Sequence, residues 1–283
     1  MPMTPTRTAD DERFGFGDNW CSFANLVDET RVAAAMESLA DVLPIPGLVG
    51  WSFLDIGCGS GLFSLAAHRL GAVVRSFDYD LMSAATTARL RDRFAPHSDW
   101  VVEPGSILDE DYTEGLGLFD VVYAWGVLHH TGDLWHAVDA AAARVAPGGT
   151  LFISVYNDQG LESRIWRRAK RRYNRSGAVV HRLLLAAGFL YLGRRRALNA
   201  LARTVPGLRK HTAPRPVRGR GMSARHDLVD WVGGYPFEVA KPEEVFARVH
   251  RLGFELRRMK TCAGGIGCNE FVFERQEGTK ASW

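Results

Sequence analysis

The sequence predicts an α/β fold in which a parallel sheet carries helices on both faces and is closed by an antiparallel hairpin. Three observations predict it. From Trp51 to about Asn157, short apolar runs alternate with helical patterns, and that rhythm builds βα units on a parallel sheet. A glycine-rich turn, "DIGCGSG", sits between the first strand and the first helix of the series. Near the C-terminus, "FELRRMKTC" and "CNEFVFERQ" are separated only by "AGGIG". No crossover helix fits there, so the two strands pair antiparallel.

The elements follow in order. The N-terminal residues are polar and acidic, and residues 1–19 read as disordered and then as a loop around Gly15 and Gly17. A helix is predicted from Leu26 to Leu43, with Asp28 as N-cap and Glu29 in its first turn, stopped by Pro44 and Pro46. "WSFLDIG" is a short buried strand, followed by a helix from Ser60 to Leu70. "AVVRSFDYD" is the second strand, followed by a helix from Leu81 to Phe94, and "DWVVEPG" the weaker third. "LFDVVYAWG" is the fourth, followed by a helix from Asp133 to Val145, and "GGTLFISVYN" the fifth. The rhythm then stops until the helix Pro242 to Gly253 and the hairpin. The chain divides into an N-terminal lid and helix (1–46), a core (47–157 with 241–276) and an inserted cap (158–240).

Charge separates these parts. Eighteen of the 35 Lys and Arg, and none of the 32 Asp and Glu, lie between Arg164 and Arg225. The net charge of +3 therefore hides an acidic body carrying one basic segment. Cys21, Cys58, Cys262 and Cys268 form no CxxC pair, and no Cys/His group has zinc spacing, so no metal is expected. The polar, acidic N-terminus is not expected to be a signal peptide, and the longest apolar run, Leu183 to Leu192, is too short to span a bilayer. A cytoplasmic location is expected.

The glycine turn is the first candidate site. Gly57, Gly59 and Gly61 let the backbone turn tightly and approach a ligand. Asp55 is placed to hold an ammonium or to orient the loop. Asp78 ends the second strand, where an acid accepts hydrogen bonds from ribose hydroxyls. An ordinary tight turn and a surface cap are the competing readings of the glycines and of Asp78.

On these residues the chain resembles the class I S-adenosylmethionine-dependent methyltransferases, in their ubiquinone/menaquinone-biosynthesis-like branch. "DIGCGSG" looks like their motif I, and "RVAPGGTLFIS" like their turn into strand five. The resemblance implies a Rossmann-like, doubly wound seven-stranded sheet whose last strand is antiparallel, with the cap inserted between strand five and the last helix. It implies S-adenosylmethionine as cofactor and S-adenosylhomocysteine as product. Asp55, Gly57, Cys58, Gly59 and Gly61 would form the cofactor turn, Asp78 would take the ribose and Tyr79 would lie beside the adenine. Ser106 and Ile107 of "EPGSILD" would contact the adenine, although Gly105 stands where such enzymes often carry an acid. Trp125 would flank the pocket at the end of strand four.

The acceptor side is less defined. "YAWGVLHHTGD" brings His129 and His130 to the cofactor pocket, and histidine is the natural base for a hydroxyl acceptor at neutral pH. His130 is the first candidate and His129 the second; both could instead hold the loop, and a carboxylate acceptor needs no base. No Asn/Asp-Pro-Pro-aromatic motif follows strand four and no Pro-Cys pair occurs, which disfavours methylation of nucleobases. In the cap, Arg164, Arg167, Arg168, Arg171, Arg172 and Arg175 make one helical stripe opposite Ile165, Trp166, Ala169 and Tyr173. A solvated face, an anionic acceptor, a membrane surface, nucleic acid and a subunit contact compete for this stripe. The run Leu183 to Leu192 should be buried against the domain or in a homodimer through the cap. Trp20, in an aromatic segment that reads as a lid or as a helix staple, joins Tyr156, Arg164, His226, Tyr235 and Asn269 as candidate acceptor contacts. The expected function is methyl transfer to a small-molecule hydroxyl or carboxylate, the acceptor being anionic if the arginines bind it. The alternatives are a tRNA-modifying enzyme that clamps RNA with the arginines, and a non-methylating protein on the same fold.

Overall fold

The seven strands are β1 (Ser52–Ile56), β2 (Val73–Asp78), β3 (Val101–Pro104), β4 (Phe119–Trp125), β5 (Val145–Tyr156), β6 (Phe254–Lys260) and β7 (Cys268–Arg275). A computed structural model describes residues 13–43, 47–204 and 220–277. The expectations for residues 1–12, for the stop at Pro44 and Pro46 and for most of the loop before Gly221 lie outside the described residues. The strands form one sheet in the order β3-β2-β1-β4-β5-β7-β6. The first five pair in parallel, and β7 runs antiparallel between β5 and β6. The strand order reverses between β1 and β4, which opens a crevice at their carboxyl ends.

Alternation along the strands sets the two faces. Leu54 and Ile56 of β1, with Val122 and Ala124 of β4, join the core under the helices α6 (Leu134–Ala143) and α10 (Pro242–Arg251). Phe53 of β1, with Val121 and Tyr123 of β4, joins the core under α2 (Glu29–Val42) and α3 (Leu62–Arg69). The same alternation turns Asp55 toward α3. Local signals start the helices where expected. Asp28 accepts the Arg31 amide at 2.9 Å to cap α2, and Asp80 caps α4 (Leu81–Phe94) through the Met82 and Ser83 amides.

Three elements depart from the expectation. The N-terminal loop is a nine-residue helix, α1 (Phe16–Ala24). A helix of that length is marginal alone; this one is held by the Gly17 amide on Asp80 at 3.0 Å and by Phe23, which is fully buried. A short helix, α5 (Glu110–Gly115), follows β3, started by Asp109 accepting from the Tyr112 amide at 3.1 Å.

The third departure is in the cap, which consists of α7 (Leu161–Asn174), α8 (Ala178–Thr204) and α9 (Ala224–Gly233). The apolar run of α8 is not buried against the domain, the first of its two expected positions. Leu183, Phe189 and Leu190 are all more than 60 % exposed, and only one face docks, where Gly188 lies against Val232 of α9. The six stripe arginines of α7 are exposed, and so is Ile165, which was expected to face inward.

Candidate active site

A cavity of about 750 Å³ opens at the carboxyl ends of β1 to β4, within the size range of small-molecule sites. Its floor is the turn after β1. Gly57 has φ +69°, and a Cβ there would come within 2.5 Å of the Val127 side chain. Gly59 has φ +55°, and its Cβ would press on the indole of Trp20 at 3.1 Å. Neither position tolerates a side chain, for reasons of both conformation and space. The Asp78 carboxylate, at the end of β2, accepts the Gly59 amide at 2.9 Å and the Asp80 amide at 2.9 Å. Burial pushes its pKa up to about 6, against the opposing pull of those two amides.

Asp55 lies beneath the turn and is fixed by a chain of hydroxyls. Trp100 Nε1 donates to Ser76 at 2.8 Å, Ser76 to Ser64 at 2.8 Å, and Ser64 to Asp55. Burial raises the Asp55 pKa to about 7. On the β3 side, Tyr112 fills the space that a Cβ on Gly105 would need, 2.3 Å from its ring, and donates to Glu103 at 2.8 Å. That contact is a physical reason for glycine at position 105.

The other end of the cavity is built from distant segments. Phe14, Phe16 and Trp20 come from the N-terminal segment, Tyr156 from β5, Asp227, Asp230 and Trp231 from α9, and Cys268 from β7. The N-terminal segment is tied across the opening. Arg13 donates to the carbonyls of His130 and Thr131 at 2.9 and 3.0 Å, and the Phe14 amide donates to the Tyr235 carbonyl at 2.9 Å. Asn19 donates to Asp230 at 2.7 Å and to the His226 carbonyl at 3.1 Å. Burial raises the pKa of Asp230, and more weakly that of Asp227.

His130 lines the cavity and His129 does not. His129 is wholly buried behind Tyr156, ring centroids 4.0 Å apart, and burial drives its pKa well below the usual range. The His130 Nδ1 pairs with the Pro236 carbonyl at 2.6 Å. A carbonyl only accepts, so Nδ1 carries the proton and Nε2 is left as the acceptor. Burial first, then the Lys170 and Arg13 charges, press its pKa down to about 3. The imidazole is neutral and weakly basic.

A model of the family described as "Methyltransferase domain" matches residues 27–205, well over half of the chain. The chain belongs to the class I S-adenosylmethionine-dependent methyltransferase family. It is 27% identical over 186 residues to a ubiquinone biosynthesis O-methyltransferase of Brucella melitensis biotype 2, covering 66% of this chain and 64% of that protein. It is 36% identical over 114 residues to the protein of the same description from Methylobacterium nodulans, covering 40% of this chain and 44% of that one. The match thus spans just under two thirds of the first of these relatives. Among solved structures it resembles an O-methyltransferase family protein from Burkholderia thailandensis, with TM-score 0.51, 14% identity, and 86% and 56% of the two chains covered. It resembles the [4+2]-cyclase SpnF equally, with TM-score 0.51, 12% identity, and 86% and 80% covered. At these identities the solved structures bear on the fold alone.

S-adenosylmethionine is the cofactor of this methyltransferase family, and the floor of the cavity suits it. A turn without side chains admits close backbone approach, and a buried carboxylate at the end of β2 can take hydroxyls. Of the residues that the resemblance expects at the cofactor, Asp55, Gly57, Cys58, Gly59, Asp78, Tyr79, Ser106, Ile107 and Trp125 all line the cavity. Gly61 does not. With φ +80° it lets the turn pass against Thr87, which its Cβ would meet at 2.9 Å.

The candidate acceptor contacts divide. Trp20 and Tyr156 line the cavity, while Arg164, His226, Tyr235 and Asn269 stand outside its lining. Arg164 is exposed on the outer stripe of α7. His226 bridges Ser223 at 2.8 Å and Ser22 at 3.3 Å, which fastens α9 to α1. Asn269 is buried and donates to the Asn157 side chain at 3.0 Å, bracing the hairpin tip.

Sequence reasoning missed a buried cation. Lys170, among the stripe arginines, is fully buried and donates to the Trp231 carbonyl. Its ammonium lies 4.7 Å from the Phe237 ring and 5.6 Å from Tyr156, and burial lowers its pKa. The signal was present: Lys170 follows Trp166 by four residues and precedes Tyr173 by three, on the inward face.

Proposed function

We propose that the chain transfers a methyl group from S-adenosylmethionine to a hydroxyl of an uncharged small molecule seated between Trp20, Tyr156, Asp230 and Trp231. The observation that carries this reading is continuity. One cavity joins the glycine turn and Asp78 to an aromatic and acidic chamber under α1 and α9. The O-methyltransferase relatives favour oxygen as the nucleophile. Asp227 and Asp230 disfavour an anionic acceptor, because a carboxylate there would meet like charge whenever they ionise and would push their pKa values still higher.

The bound cofactor would supply an electrophilic methyl on a sulfonium. This chain's residues would do the rest. Asp78 would accept the ribose hydroxyls, and the Gly57 to Gly59 backbone would let the cofactor lie close to β1. Trp20 and Tyr156 would hold the acceptor in line, which is the larger part of catalysis in a transfer of this kind. Asp230 would take the hydroxyl proton. Its raised pKa lies nearer neutrality than that of His130, and a base works best there. His130 would position the loop after β4 through its bond to Pro236. The N-terminal segment would exclude water.

Calorimetric titration with S-adenosylhomocysteine tests the cofactor end. Wild type should bind, and Asp78→Ala should bind at least about a hundredfold more weakly, since two hydrogen bonds to a charged group are lost. Unchanged affinity in that variant would sink the assignment. Release of S-adenosylhomocysteine with a panel of phenols and alcohols, set against the matching carboxylic acids, tests the acceptor class.

A further inference from the structure

The outer face of the cap carries two features that methyl transfer leaves unused. α7 and α8 form an antiparallel pair: Tyr173 stacks on His181 with ring centroids 4.1 Å apart, and Trp166 meets Tyr191 at 5.3 Å. Both helices turn inner faces toward α9. The Trp166 ring lies 4.3 Å from that of Trp231, Lys170 donates to the Trp231 carbonyl, and Gly188 lies against Val232. Their outer faces therefore look away from α9 and from the cavity that α9 lines.

On α8 the outer face is apolar. Val179, Leu183, Ala186, Ala187 and Leu190 follow i, i+4, i+7, i+8 and i+11, which is one stripe of a helix. All of them are exposed, and so is Phe189 beside them. On α7 the outer face is the exposed arginine stripe. Between Arg164 and Arg225 the sequence has eighteen Lys and Arg and no Asp or Glu.

Large apolar side chains in one exposed stripe mark a contact surface, and the charge beside them selects what covers it. A second copy is disfavoured. A twofold contact through this face would set one arginine stripe against the other, with no acid in the stretch to neutralise either. RNA would engage the arginines through its phosphates and leave Leu183, Phe189 and Leu190 in water. A bilayer with anionic headgroups takes both: the acyl boundary accepts the apolar stripe, and the headgroups accept the guanidinium groups. Among the described residues no helix is long and apolar enough to cross a membrane, so the contact lies in the plane of the interface. We infer that the outer face of the cap docks on an anionic lipid surface, with α8 in the interface and the α7 arginines at the headgroups. The inference stands apart from the cofactor and acceptor readings.

The test is co-sedimentation of the full chain with vesicles of phosphatidylcholine alone and of phosphatidylcholine mixed with phosphatidylglycerol. Wild type should bind the mixed vesicles at least about tenfold more tightly, and added salt should weaken that binding. Arg164→Gln and Arg168→Gln should each weaken it about fivefold. The pair Leu183→Gln and Leu190→Gln leaves the charge unchanged and should weaken it at least about tenfold. All four side chains are exposed, so the melting temperature should stay at the wild-type value. Equal binding to both vesicles, or no binding to either, would overturn the inference. Full binding by the Leu183 and Leu190 pair would overturn it too, because α8 would then not enter the interface. Sedimentation velocity without lipid supplies a further check: a dimer that the same pair dissolves would make this face a contact between copies instead. Tighter binding to a tRNA mixture than to the mixed vesicles would likewise overturn it.

Discussion

The two ends of the cavity are made in different ways. The end proposed for the cofactor comes largely from strand ends and the turns that follow them, so each residue is positioned by its immediate neighbours in sequence. Gly57 and Gly59 follow β1 directly, and Asp78 closes β2. The end proposed for the acceptor is assembled from the N-terminal segment, β5, the cap and the hairpin, and its residues are positioned by contacts across the chain. Asn19 reaches Asp230 across 211 positions, and Arg13 reaches His130 across 117. A site built locally can be read from a motif, whereas one built from long-range contacts needs the packing.

That contrast can be broken experimentally. The largest effect is expected at the acceptor end. Asp230→Asn should lower turnover of any hydroxyl compound that supports S-adenosylhomocysteine release by about a hundredfold or more, the usual contribution of a general base. Its S-adenosylhomocysteine affinity, measured by calorimetry, should stay at the wild-type value. If affinity and turnover fall together, the two ends are not separable and Asp230 supports the cavity as a whole.

Protonation gives an intermediate effect at the cofactor end. Asp78 has its pKa raised to about 6 and Asp55 to about 7, both by burial. Each group is therefore protonated in the folded protein over a range where an exposed carboxylate is ionised. Protonated Asp78 loses acceptor capacity for ribose hydroxyls. Affinity for S-adenosylhomocysteine should be level above about pH 7 and fall by up to about tenfold per unit below about pH 6. A flat profile between pH 5 and 8 would show that the carboxylates do not contact the ligand. The linked stability has the opposite sign. Folded-state pKa values above the unfolded value mean that the apo protein loses stability as pH rises from about 4 through these values, and the loss is complete above them.

The smallest effect is expected on the outer face of the cap. Arg164→Ala should change cofactor affinity, turnover and melting temperature by less than the assays resolve, as expected for an exposed side chain. A tenfold loss of turnover would show that the stripe reaches the acceptor.

Legibility followed the same division. The glycine turn, Asp78 and the strand-helix alternation were legible because their spacing is set by single elements and by short loops. The hairpin was legible because "AGGIG" is too short for any other connection. The basic stretch of α7 was legible only in part. Its period gave the exposed arginine stripe, but total charge hid Lys170, whose neighbours Phe237 and Trp231 lie more than sixty positions away. Composition likewise marked the apolar run of α8 for burial against the domain or a second subunit without saying which face docks; within the chain the face with Gly188 meets α9. His130 was read as a base or as a loop anchor; burial and two nearby cations press its pKa down, and its Nδ1 bond to the Pro236 carbonyl ties the loop, neither of which its spacing shows.

The sequence by itself determined the sheet, the helices on its two faces, the glycine turn after β1 and the family. These rest on backbone periodicity and on residues a few positions apart. Tertiary structure alone decided which histidine meets the cavity, that Asp227 and Asp230 rather than the stripe arginines line the chamber under the cap, and that Lys170 of α7 turns inward. The physical reason is that desolvation and charge pairing depend on which groups are brought within a few ångströms of one another, and along this part of the chain such groups are separated by tens to hundreds of residues.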